Sequence, residues 1–239
     1  MAIPRKALPA TLAAVFAAAG AGCTETIPSE LVRTGRITAL MSATAVSGES
    51  CTVRVELRDG GKESSTFVVV GGGDVLSARA GEEERKLVQV SGGVYEATFS
   101  TGQEVEIVVR LKRAEEVDAP KSAVMLPAPF ELFGPAAEEV LSRETDALSL
   151  AWEPLVDADG SVEVEGECIE AATFAVDGEA GGWELPAGGL VAKKPELGET
   201  CTVTATVSFR RDGDADPTFQ DESEIAGYQT RQVAFESSP

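Results

Sequence analysis

The stretch GESCTVRVEL, residues 48–57, returns as GETCTVTATV at residues 198–207. In the first copy Cys51, Val53, Val55 and Leu57 fall on one side of an extended chain, and Thr52, Arg54 and Glu56 on the other. In the second, Cys201, Val203, Ala205, Val207 and Phe209 alternate with Thr202, Thr204, Thr206, Ser208 and Arg210. A strict period of two is the pattern of a half-buried β-strand, because successive side chains of a strand point to opposite faces. The repeat is read as one strand type used in two similar sandwiches, with a cysteine on each buried face.

Working outward from the first copy, RITALMSATAV, STFVVV, DVLSARA, RKLVQV, VYEATF and EVEIVVRLKR show strand-like composition, separated by GG, GGG, SGG and STGQ. Glycine and small polar residues supply the backbone angles that tight turns require. Short strands at this spacing indicate an immunoglobulin-like antiparallel sandwich over residues 33–118. Four prolines then interrupt the pattern within residues 115–135, so residues 119–135 are read as a linker. Pro135 followed by AAEEVL suits a short helix over 136–143. From there ALSLAWEP, SVEVEGECI, ATFAVDG, GWELPAGGL, CTVTATVSFRR and GYQTRQVAFESS provide a second strand set over residues 136–239. ALSLAWEP, with Leu148, Leu150 and Trp152 on one face and a closing proline, resembles an early strand of fibronectin type III domains. The fold class expected is all-β, two immunoglobulin-like sandwiches in tandem.

The first 22 residues carry a basic start, MAIPRK, and an apolar run of small residues, ALPATLAAVFAAAGAG. That layout is a secretory signal, too short and too alanine-rich for a membrane-spanning helix. The run ends in Gly20, Ala21, Gly22 and Cys23, which resembles a bacterial lipoprotein lipobox, although Gly20 stands where that family has Leu. The resemblance implies that Cys23 becomes a lipid-bearing N-terminus. Thr24, rather than Asp, follows it, which in lipoproteins of this kind implies the outer membrane. Cleavage by an ordinary signal peptidase near Ala21 is the alternative, and makes the protein secreted or periplasmic. Residues 23–32, beginning with the polar TETIPSE after the cysteine, read as a tether. Taken whole, the chain resembles a bacterial secreted lipoprotein with two immunoglobulin- or fibronectin type III-like modules.

Cysteine use fits an exported protein. In SVEVEGECI the residue Cys168 shares the inward face with Val162 and Val164, so Cys168 and Cys201 both point into the second core and are expected to form a disulfide. Cys51, left without a partner, is read as a small buried hydrophobe. Among 239 residues there is no histidine, which removes Ser-His-Asp and Cys-His catalysis and the commonest zinc and haem ligand. The formal charge is -20, and losing Arg5 and Lys6 with the leader makes it more negative still. Such a surface repels phosphate backbones, and excludes nucleic acid as a partner.

No catalytic residue and no cofactor is therefore assigned. Calcium is the alternative ligand, since RRDGDADPTFQDESE sets Asp212, Asp214 and Asp216 at alternate positions with Asp221 and Glu222 beyond. A solvated acidic hairpin loop is the ordinary use of such a stretch. Trp152, Trp183, Tyr95 and Tyr228 lie inside alternating patterns, which assigns them to packing rather than to stacking on sugars. The function expected is that of a lipid-anchored, non-catalytic binding or structural module of the cell envelope, meeting an envelope protein or a glycan. A calcium-stabilised adhesion or carbohydrate-binding module is the alternative. A carboxylate-dependent hydrolase is more remote.

Overall fold

The structure is a computed structural model that describes residues 25–194, 198 and 200–239. The segment read as a secretory signal, residues 1–22, and Cys23 lie outside the described residues. Ten strands precede residue 127: β1 (Glu25–Pro28), β2 (Ile37–Ala45), β3 (Cys51–Asp59), β4 (Thr66–Val69), β5 (Val75–Ala80), β6 (Glu83–Lys86), β7 (Val88–Ser91), β8 (Val94–Phe99), β9 (Glu106–Lys112) and β10 (Ala119–Met125). Eight follow: β11 (Glu131–Phe133), β12 (Val140–Ser142), β13 (Leu148–Glu153), β14 (Asp159–Gly166), β15 (Ala172–Asp177), β16 (Gly182–Leu185), β17 (Cys201–Asp212) and β18 (Glu224–Ser238).

The molecule is all-β, with two immunoglobulin-like sandwiches in series. In the first, β2, β3 and β8 form one layer and β10, β9, β5 and β6 the other. Between them pack Val53, Val55 and Leu57 with Leu76, Ile107 and Leu111, all buried. In the second, β11, β13 and β16 face β15, β14, β17 and β18. The burial of Leu148, Leu150 and Trp152 on β13, and of Val203, Ala205, Val207 and Phe209 on β17, is the alternation legible in the sequence. Phe209 lies at the centre, edge-on to Phe130 (4.9 Å) and to Trp152 (5.4 Å). The Trp152 indole is fully buried and donates to the Gly178 carbonyl (2.8 Å). Trp183 is half-buried against Phe174 (5.0 Å).

The two repeat phrases lie in the same sheet. β3 pairs antiparallel with β2, and β17 pairs antiparallel with β18, so each repeat strand flanks one member of the parallel β2–β18 pair.

Three boundaries differ from expectation. Residues 25–28 of the presumed tether form β1, parallel to β4, because the backbone groups of β4 are open on that side. Within the presumed linker, residues 119–125 are an edge strand of the first sandwich, and 131–133 belong to the second. Pro120 is tolerated in β10 because it sits at an edge and in a register shift between Ala119 and Ser122. The crossover is shorter than expected, running from Leu126 in the first core to Phe130 in the second. Residues 136–143 do not form an α-helix. A single turn closes between Ala136 and Glu139, and Val140–Ser142 then pairs in parallel with the end of β18. A one-turn helix has too few hydrogen bonds to offset its nucleation cost, and an open strand edge supplies better partners.

The sandwiches are not independent beads. The first half of β18 pairs in parallel with β2, from Glu224 opposite Leu40 to Gln229 opposite Ala45, so one eleven-stranded sheet runs through both. The β17–β18 hairpin reaches into the first sandwich, placing Phe219 of its loop and Ile225 at the start of β18 in that core. Ser223 Oγ accepts from the Ala39 N–H, and Thr38 Oγ1 donates to Gln220 Oε1.

Candidate functional site

Where the sandwiches meet, an open cleft of about 980 Å³ forms between the β2–β3 turn, the crossover and the end of β13. One wall is Val46, Ser47 and Gly48, the floor is Pro129 and Phe130, and the other wall is Glu153, Pro154 and Leu155. Its position follows from the topology. The β2–β18 ladder fixes the sandwiches side by side, and the crossover must run along the seam between them.

Arg231, on β18, lines this cleft and ties both halves together. Its Nη1 donates to the Ala45 carbonyl of the first sandwich (3.2 Å) and to the Thr230 carbonyl (2.8 Å). The guanidinium stands 5.1 Å from the centre of the Phe130 ring, within reach of a cation–π contact. Burial lowers its pKa below the ordinary arginine value, yet a guanidinium remains cationic at neutral pH. At the rim Glu131 and Glu153 are directly opposite each other on β11 and β13, and both are exposed. Like charges in a cross-strand pair repel. The cleft thus combines an apolar floor, a held cation and two exposed carboxylates at its rim, a composition suited to polar contacts with a partner.

The disulfide joins Cys168 and Cys201, with Cα atoms 5.8 Å apart, and the Cys168 N–H donates to Cys201 Sγ (3.1 Å). Cys51 is a free, buried thiol whose pKa is pushed up to about 12 by desolvation. Such a thiol is a poor nucleophile, because the thiolate is the reactive form. Tyr95 is raised by burial, while its hydroxyl accepts from the Val70 N–H (2.7 Å).

The five carboxylates proposed for calcium are not brought together. Asp212 pairs with Arg210 (2.6 Å). Asp214 lines a small surface groove with Asp212, Glu106 and Lys121. Asp216 turns inward, accepting from the backbone N–H groups of Lys121 (2.8 Å) and Thr218 (2.9 Å). Burial opposes ionisation of Asp216, but these donors outweigh it and hold its pKa below the ordinary value. Asp221 is exposed, and Glu222 accepts from the Lys62 N–H (2.8 Å). Among the described residues no group of three or more acidic, cysteine or histidine side chains is arranged to hold a metal. Asp216 and Glu222 instead cap backbone groups of the neighbouring sandwich.

Arg231, Phe130, Glu131 and Glu153 were not singled out by sequence reasoning. Phe130 lay in a stretch read as linker. The one available signal was Arg231, a charge inside the alternating GYQTRQVAFESS.

The site and the fold define a two-module β-sandwich protein. No family model matches the chain, and no curated protein matches it. Among solved structures, a two-domain fibronectin type III segment from chicken tenascin aligns over 83% of this chain and 97% of that chain, at 9% identity and a TM-score of 0.24.

Proposed function

We propose that the protein is an exported, lipid-anchored component of the bacterial cell envelope that acts as a non-catalytic binding module through the cleft between its sandwiches. The observation that carries the binding reading is the cleft itself. Its walls come from both sandwiches, whose relative placement is fixed by a backbone ladder, so the surface is organised before a partner arrives. Export is supported by the signal-like residues before Cys23 and by the Cys168–Cys201 disulfide, a linkage of oxidising compartments.

The partner is an envelope protein or glycan reached from the membrane surface. A photo-crosslinking residue at Val46, which is exposed on the cleft wall, tests this in cells. A discrete adduct from Val46, weakened by Arg231→Ala and absent when the crosslinker sits at the exposed Val191, is expected. No adduct from Val46 would leave a purely structural role.

A further inference from the structure

We infer that the end of the first sandwich bearing Leu31 and Val117 rests directly on the lipid bilayer, an inference that depends on the proposed lipidation of Cys23. Only Thr24 separates Cys23 from Glu25, the first residue of β1. Two residue steps of fully extended chain reach at most about 7 Å, so a lipid on Cys23 holds the sandwich at the headgroup layer.

The segment after β1 is firmly attached. The Arg113 guanidinium donates through Nη2 to the carbonyls of Ser29 (2.7 Å) and Val32 (2.9 Å), and through Nη1 to Thr34 Oγ1 (2.9 Å). Its Nε donates to Asp74 Oδ2 (2.8 Å), which also accepts from Ser29 Oγ (2.6 Å). Both members of this ion pair are almost completely buried. The anchored segment therefore cannot swing away without exposing a buried charge pair.

Two large apolar side chains flank this cluster and remain in solvent, Leu31 at 71% and Val117 at 67% exposure. The Val117 carbonyl accepts from Thr34 Oγ1 (2.6 Å), which ties the Val117 loop to the same latch. β2 leads from this pole to the junction, where the carbonyl of its last residue, Ala45, accepts from Arg231. The second sandwich and the cleft thus project away from the membrane. The negative charge of the chain works against spontaneous adsorption to anionic lipid, so the contact exists only in the anchored protein.

The test uses Leu31→Trp, and separately Val117→Trp, in full-length acylated protein reconstituted into phosphatidylethanolamine and phosphatidylglycerol vesicles with brominated acyl chains. Both introduced indoles are expected to lose emission relative to unbrominated vesicles, while the native Trp152 and Trp183 of the second sandwich do not. A long Gly-Ser insert between Thr24 and Glu25 should remove the quenching. An acyl mass on Cys23 without quenching of either introduced indole would overturn the membrane contact and leave the anchor standing. Absence of the acyl mass would overturn both.

Discussion

Asp74 and Arg113 are the most consequential charged pair of the first sandwich, because the value of a buried charge lies in its partner. Arg113 joins three segments: the Ser29–Thr34 stretch, Asp74 just before β5 and the turn before β10. Removing the carboxylate leaves a guanidinium stranded in a dry site. Asp74→Ala is therefore expected to cost about 3–5 kcal/mol in chemical denaturation, well beyond an exposed pair such as Arg54 and Glu96. Cys51 makes the second residue-scale prediction. Its folded pKa of about 12 lies above the ordinary 9.0, so folding holds this proton more tightly than the unfolded chain does. The associated stability is complete below pH 9 and declines as the pH rises towards 12. In folded residues 25–239, which lack Cys23, an aromatic disulfide reagent at pH 8 should find no reactive thiol, and one per chain should appear on unfolding. Rapid labelling of the native state would contradict the burial.

At the scale of elements, the β17–β18 hairpin gives β17 and the later half of β18 to the second sandwich, and its tip to the first, with the early half of β18 shared between them. Phe219 is buried in the first core although it follows the last strand pairing of β17 by several residues. Phe219→Ala should cost about 3–5 kcal/mol, and hydrogen exchange should show the loss in β2 and β3 as well as in the hairpin. Confinement of the effect to β17 and β18 would contradict the docking. The strands themselves were legible from the sequence because alternation records one-sided burial, and β13, β14 and β17 follow it residue by residue. What alternation does not record is which edge a strand joins. RKLVQV reads as one strand, yet the chain breaks at buried Leu87, so that β6 and β7 enter different sheets. AAEEVL has helical propensity, but the end of β18 offered it a ladder. The acidic loop has the composition of a cation site, and two of its acids, Asp216 and Glu222, instead face backbone N–H groups contributed from residues far away in sequence. The cleft was illegible for the same reason, since Phe130, Glu153 and Arg231 converge only through the β2–β18 pairing.

For the whole molecule, the question is whether two hydrophobic cores imply two folding units. The first core has no claim to independence: β2 has β18 as its outer neighbour, and Phe219 and Ile225 come from the far side of the chain. Opening the second sandwich would strip a strand from the first sheet and leave a void in its core, and opening the first would leave the hairpin tip undocked and the early half of β18 paired on its β17 side alone. Coupling of this kind exceeds that of ordinary tandem modules, whose interfaces are small and polar and which unfold separately. Residues 25–239 should therefore melt in a single calorimetric transition with equal calorimetric and van't Hoff enthalpies. Replacing residues 213–223 by a short Gly-Ser turn keeps β17 and β18 paired while withdrawing Phe219, Gln220 and Ser223 from the first sandwich. That variant should show two transitions, the first sandwich melting at the lower temperature. Two transitions in the native chain would mean that the shared sheet does not couple the cores, and that the cleft between them is free to open.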